Sequence, residues 1–378
     1  MNRYLIFPAT ATLLLSTSGS AVAQGSATAV NGPNAHAPPL GSSQQEVDYT
    51  DHFRVFTGDG EPASLEDIMR AMVDMEAVLI GESHTDPVGH WIQADLLREA
   101  LVQAAQSDAP RPVALSLEMF ERDVQGIVDE YLQDLITEEQ FKASARPWKF
   151  YDADYRPMVE LAKETGIPVI AANAPRRYVN RVTRLGRNAL DDLPSYGRSF
   201  LPPLPYPHPS DVYREEWLSL MGEMPMERTC ETPVAARGNV VADSQDVERH
   251  RPAVPVQETP PVRPPSHMAS FMENGVHAQA LWDASMAHAI TSFLELNPGG
   301  LVLHMVGGFH VENFTGIPEQ VQHYRPGTRS LVLSMDIADD FRSFDPEEHA
   351  GLGDFVILTD KSLDQDYARN CAGEQGAG

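Results

Sequence analysis

Four residues stand where their types and spacing could do chemistry. Glu82 and His84 share the string Gly81-Glu82-Ser83-His84, Glu118 ends the apolar run Leu115-Ser116-Leu117, and His310 follows the paired Gly307-Gly308. Residues two apart in an extended segment face the same way, so Glu82 sets a carboxylate beside the His84 imidazole. That pairing suits a metal ion. It equally suits acid–base work, because a carboxylate fixes the tautomer of the ring beside it. A purely structural use is also open, with Glu82 capping the helix that follows. Glu118, closing a buried run, needs a partner: either a shared site or a salt bridge with Arg122 or Arg176. His310 repeats the Gly-x-x-His spacing of His84, counted from Gly307. Either string alone is common; both together, with Glu82 and Glu118, form a more specific set.

Further candidates surround these. The aromatic and charged stretch Trp148 to Arg156 could wall a pocket for a flat ligand, with Tyr155 and Arg156 as its pocket residues, or could simply pack on a sheet. Asn173 follows another apolar run. His277 and His288 fall on one helical face with Leu281 and Ala284 between them, a face able to cover a porphyrin or to pack. Tyr206 sits in a Pro-held extended loop, Leu201 to Pro209, and Tyr213 follows. A tyrosinate is a hard anionic ligand suited to ferric iron, although packing explains these tyrosines as well. His304, inside an apolar run, reads as a core histidine.

The elements that must position these residues alternate. Runs at 77–80, 113–117, 167–172, 301–306, 331–335 and 355–358 are apolar throughout, which predicts strands buried on both faces. Helical stripes lie between them: Ser64 can cap a helix carrying Leu65, Ile68 and Met72, with Asp67 three residues on, and Gly166 can close a helix over 157–164. The expectation is an α/β fold, a mostly parallel sheet flanked by helices, with a smaller helical lobe over about 178–288. In such sheets ligands bind beyond the carboxyl ends of the strands. Those ends carry Glu82-Ser83-His84, Glu118, Asn173 and His310, whereas the opposite ends are blander.

Residues 1–23 read as an export signal: Arg3, an apolar stretch from Tyr4 to Leu15, and Ala21-Val22-Ala23 as the cleavage site. That places the mature chain in the periplasm or outside the cell, without an integral membrane span. Residues 24–49 form a disordered leader, 50–366 the domain, with a Pro-rich excursion over about 224–267, and 367–378 a loose tail. A formal net charge of −26 argues against nucleic acid and anionic membrane surfaces. Cys230 and Cys371 are the two cysteines, and a disulfide between them is permitted in an oxidising compartment.

Taken together, Gly81-Glu82-Ser83-His84, Leu117-Glu118-Met119-Phe120, Tyr155-Arg156-Pro157, Asn173-Ala174-Pro175, Gln279 to Ala287 and Gly307 to Glu312 resemble the ChaN-like family of haem-binding uptake proteins. The likeness runs from about Phe53 to Leu358 outside the Pro-rich excursion. This family belongs to a superfamily with Tiki proteases, TraB proteins and erythromycin esterases. The resemblance implies a parallel sheet with a small helical domain, haem as cofactor, bound as a stacked pair across a homodimer, and a role in iron acquisition. For the wider superfamily it implies a metal-dependent hydrolytic site, whose roles map onto Glu82, His84, Glu118 and His310 as catalytic residues and ligands of a divalent metal ion. This sequence departs from the family in lacking a cysteine for lipid anchoring. The family's haem-ligating Tyr and His have no firm match here.

Overall fold

Continuous apolar patterning demands burial on both faces of a sheet, and the strands obey it: every residue of 77–82 and 301–307 is buried. The computed structural model describes residues 48–107, 111–223 and 266–363. The export segment, nearly all of the leader, residues 224–265 of the Pro-rich stretch, Cys230, Cys371 and the tail lie outside the described residues. Eight strands form one sheet: β1 (Phe53–Thr57), β2 (Pro62–Ala63), β3 (Ala77–Glu82), β4 (Val113–Glu121), β5 (Val169–Asn173), β6 (Leu301–Gly307), β7 (Ser330–Ala338) and β8 (Phe355–Asp360). Their order is β2-β1-β8-β7-β3-β6-β4-β5. β3 through β8 run parallel, and β1 pairs antiparallel with β2 and β8 at the edge. That short edge hairpin was not among the expected strands.

The helices, in chain order, are α1 (Leu65–Met72), α2 (Pro87–Gln106), α3 (Gln125–Leu132), α4 (Glu138–Ala145), α5 (Tyr151–Asp154), α6 (Arg156–Thr165), α7 (Arg176–Leu185), α8 (Ser195–Arg198), α9 (Asp211–Glu223), α10 (Ser266–Leu296), α11 (Ile317–Tyr324) and α12 (Pro346–His349). Ser64 and Asp67 close the capping box on α1, and Gly166, at φ 73°, ends α6 in the left-handed region that favours glycine. Alternation along each strand divides the core. Val78, Ile80, Leu115 and Leu303 face Ile68, Ile92, Leu96 and Met158 on one side. Leu79, Val302 and Val306 face Met286 and Ile290 of α10 and Ile317 and Val321 of α11 on the other. Each such Leu or Ile contributes about 1.5–3 kcal/mol by burial. α10 is shared: Ala278, Leu281 and Ala284 pack with Val179, Val182, Leu190, Leu201 and Tyr206, forming the core of the helical lobe. Among the described residues no helix is long and apolar enough to cross a membrane.

The topology makes a crevice. From β3 the chain moves two places away to β4, β6 later inserts between them, and β7 passes to the other side of β3. Such a reversal leaves room beyond the carboxyl ends of the strands. Glu82 lies in register with Gly307. β4 leaves β6 after Leu117 and shifts register against β5 between Leu117 and Glu121, so Glu118 stands where β4 parts from its neighbours.

Candidate functional site

Two imidazoles approach Glu118, one at each carboxylate oxygen, and each is held from behind in the same way. His84 Nδ1 donates to Glu82 Oε1 at 2.9 Å, and the Tyr155 hydroxyl donates to that same oxygen. His310 Nδ1 donates to Asp283 Oδ1, and the Tyr213 hydroxyl donates to Asp283 Oδ2. The far edges converge: His84 Nε2 is 4.0 Å from Glu118 Oε2, and His310 Nε2 is 3.8 Å from Glu118 Oε1. The Gly307 N–H also donates to Glu118 Oε2, at 2.9 Å. A carboxylate behind each ring fixes its tautomer and raises its basicity. The pattern is therefore two Tyr–carboxylate–His chains meeting at one glutamate.

Local sequence explains the placement. Val78 and Ile80 point to the α2 layer, and so does Glu82. There Gln93 Nε2 donates to Glu82 Oε2, and His90 Nδ1 lies 3.5 Å from the same atom. Asp283 sits on α10, four residues after Gln279, whose amide lies 3.2 Å from His310 Nε2. Gly307 packs closely on the site: a Cβ there would stand 3.1 Å from His84 Cε1 and Nε2, so the ring would have to give by a few tenths of an ångström. Trp148 meets the His84 ring edge-on at 4.4 Å, walling the site.

The electrostatics follow from burial and pairing. Burial opposes charge on Glu82, but His90 and His84 overcome it and hold the carboxyl down at about 2. Burial likewise opposes a cationic His310, yet Asp283 and Glu118 lift it to about 9. His84 is raised too, Glu82 and Glu118 outweighing its desolvation. Burial pushes the Tyr155 and Tyr213 phenols well above the ordinary range, reinforced by Glu82 and Asp283 respectively. Both remain neutral donors. His84 has a side chain 43% exposed against 7% for His310, so His84 is the ring that meets solvent.

The sequence candidates sort into distinct places. Glu82, His84, Glu118 and His310 come together, and Tyr155 and Tyr213 join them from behind. Asn173 ends β5 beside Glu118; its Oδ1 is buried without a hydrogen-bond partner and lines a cavity of about 180 Å³ between Trp148 and Trp282. Arg156 is elsewhere, its guanidinium turned outward onto Glu138 at 2.5 Å. His288 is elsewhere too, packed on Tyr324 with Nδ1 3.2 Å from Arg122. Tyr206 and His277 belong to a second, larger cavity in the helical lobe, about 770 Å³, lined also by Arg187, His208, Glu273 and His323. The Tyr206 hydroxyl donates to the His277 carbonyl at 2.9 Å, and burial raises its pKa. His304 is a buried core histidine, held neutral with its pKa lowered by burial to about 3.

Glu82, His84, Glu118 and His310 do not present four ligating atoms to one point, because both Glu82 oxygens already accept from His84, Tyr155 and Gln93. Among the described residues no group of three or more His, Cys, Asp or Glu is arranged to hold a metal ion. Sequence reasoning also missed His90, Gln93, Gln279 and Asp283 as members of the network. The available signal was a buried polar pair, His90 and Gln93, beside the apolar stripe of α2, and the four-residue spacing of Gln279 and Asp283 on α10.

Residues 68–321 match the family described as haem-binding uptake, Tiki superfamily, ChaN. The chain belongs to this family. Among solved structures it is similar to ChaN of Campylobacter jejuni, a structure describing cofacial haem binding, at 14% identity and a TM-score of 0.54, covering 82% of this chain and 98% of that one. A mutant erythromycin esterase in its open conformation matches at 11% identity and a TM-score of 0.35, covering 82% of this chain and 83% of that one. A curated relative, the Arabidopsis thaliana protein RETICULATA-RELATED 5, chloroplastic, is 22% identical over 328 residues, covering 82% of this chain. The chain spans only 38% of that relative's length.

Proposed function

We propose that this protein binds haem in the cavity of the helical lobe, as an exported protein serving haem or iron acquisition. The observation that carries the reading is the cavity itself: about 770 Å³, with the imidazoles of His208, His277 and His323 on its wall. That volume lies within the roughly 300–1,000 Å³ typical of small-ligand and cofactor sites, and the pocket opens broadly to solvent. The donor set fits. Burial and Arg187 lower the pKa of the His277 ring, favouring the neutral form that ligates iron. Tyr206 is the poorer ligand, because its phenol is neutral and already bonded. His208 packs against His277 at 5.5 Å between ring centroids, a second nitrogen donor at the same wall. Bound haem would supply the iron centre; these residues bind and orient it. The cofacial arrangement named for the Campylobacter protein extends the proposal to a homodimer that brings two haems together.

Titrating the full chain with hemin tests this. A saturable Soret shift that weakens at least tenfold in His277→Ala supports it; an unsaturable, linear rise in wild type removes it. A second reading, an acid–base hydrolase, is favoured by one observation: two carboxylate-backed imidazoles face Glu118. Hydrolysis of a chromogenic ester abolished by His84→Ala would support that reading, and equal background rates in wild type and variant would end it.

A further inference from the structure

We infer that the small cavity between Trp148 and Trp282 binds a flat carboxylate, one aromatic ring bearing a single negative charge, beside the Glu118 cluster. The cavity holds about 180 Å³. An apolar cavity of about 150 Å³ admits benzene, so this one fits a single ring with a small substituent. Its size falls below the roughly 300–1,000 Å³ of larger ligand sites. The two indoles are half-buried, so each offers ring surface to the space. Flat, rigid walls of this kind gain most from a flat guest. Each indole also stands next to one imidazole: ring centroids are 4.4 Å apart for Trp148 and His84, and 6.4 Å apart for Trp282 and His310. Glu118 itself lines the cavity, so a bound ring lies against the residue on which both histidines converge.

The charges on the wall select the sign of the guest. Four charged residues line the cavity: Glu118, Glu121, Arg146 and Arg176. Three of them are answered by the chain. Arg146 donates to Glu121 at 3.1 Å and to Asp123 at 2.8 Å. Glu118 accepts from the Gly307 N–H at 2.9 Å and has His310 Nε2 at 3.8 Å. Arg176, exposed at the start of α7, has no hydrogen bond or ion pair among the described residues. Acids are not scarce, since the chain carries 54 acidic residues against 28 basic ones. Arg176 is therefore the charge at this cavity left for a ligand. Its rigid fork matches a planar carboxylate in two parallel hydrogen bonds. Glu118 and Glu121 on the same wall repel a second negative charge, which disfavours a phosphate dianion. The inference rests on neither proposed function, because it needs no haem and no hydrolysis.

The test is calorimetric titration of the full chain with three rings of one size: benzoate, its neutral counterpart benzamide, and the cation benzamidine. Wild type is expected to bind benzoate saturably and at least tenfold more tightly than benzamide, with benzamidine weaker than both. Arg176→Gln, an exposed change expected to leave the melting temperature unaltered, should bring benzoate to within threefold of benzamide. His277→Ala, in the other cavity, should leave benzoate affinity within twofold of wild type. The comparison of the three rings on wild type needs no variant, so it decides the matter even if Arg176→Gln misfolds. Equal affinity for benzoate and benzamide, or no binding of either, overturns the site. Tightest binding of benzamidine overturns it as well, because the indoles and Glu118 would then be holding a cation. A benzoate preference that survives in Arg176→Gln and vanishes in His277→Ala places the anion in the lobe and also overturns it. Saturable benzoate binding alongside a failed hemin titration overturns the haem reading alone.

Discussion

The strand-end cluster and the lobe cavity place similar side chains under opposite conditions. At the strand ends each buried charge has a partner supplied by the chain: Asp283 has His310 and Tyr213, and Glu82 has His84, Tyr155 and Gln93. In the lobe, Arg187 Nη1 and His277 Nδ1 are buried with none. A network of paired charges rigidifies and specifies one geometry, whereas buried polar atoms left without partners add a cost that the paired charges do not. The first region is arranged to move protons or orient something small; the second offers an open volume of about 770 Å³.

Removing a member of each region separates these conditions most sharply. Asp283→Ala strips the counter-charge from a buried imidazolium and is expected to destabilise the fold by about 3–5 kcal/mol in urea unfolding. Arg187→Gln removes a cation that has no carboxylate partner, so its loss should be far smaller. Equal losses would break the comparison.

The pH dependence comes next in size. The folded pKa of His310, about 9, is above the ~6.5 of a free imidazole. Its contribution, on the order of 3 kcal/mol by linkage, is full below about pH 6.5 and fades as pH rises through about 9. Glu82 behaves oppositely: held at about 2 against a free value of 4.5, it stabilises above about pH 4.5 and loses that contribution as pH falls through about 2. Urea unfolding across pH should show both flanks, and His310→Gln should flatten only the alkaline one. Smaller again, Tyr213→Phe and Tyr155→Phe each remove a donor from a buried carboxylate, and a loss of about 1.5–3 kcal/mol is expected for each. The smallest effect belongs to Arg156→Ala. Its exposed pair with Glu138 is worth roughly 0.2–1 kcal/mol, and hemin affinity should not change.

Much of this was legible in the sequence, for physical reasons. Strands buried on both faces advertise themselves as unbroken apolar runs, and polar residues clustered after four of them located one crevice. Glu82, His84, Glu118 and His310 could be gathered on that argument alone. What the sequence hid was pairing across distance. Asp283 reads as one acid on a long helix, and nothing local shows that it backs an imidazole on another element. Tyr213 looked like a ligand from the lobe, yet its hydroxyl reaches the strand-end network through Asp283. The edge hairpin of β1 and β2 was missed because Pro62–Ala63 is too short to carry a period.

Hemin titration of wild type, His277→Ala and His84→Ala in parallel, followed at the Soret band, bears most directly on the division of labour between the two regions. The account predicts saturable binding by wild type and at least a tenfold weakening in His277→Ala. A loss that tracks His84→Ala while His277→Ala binds like wild type would contradict it.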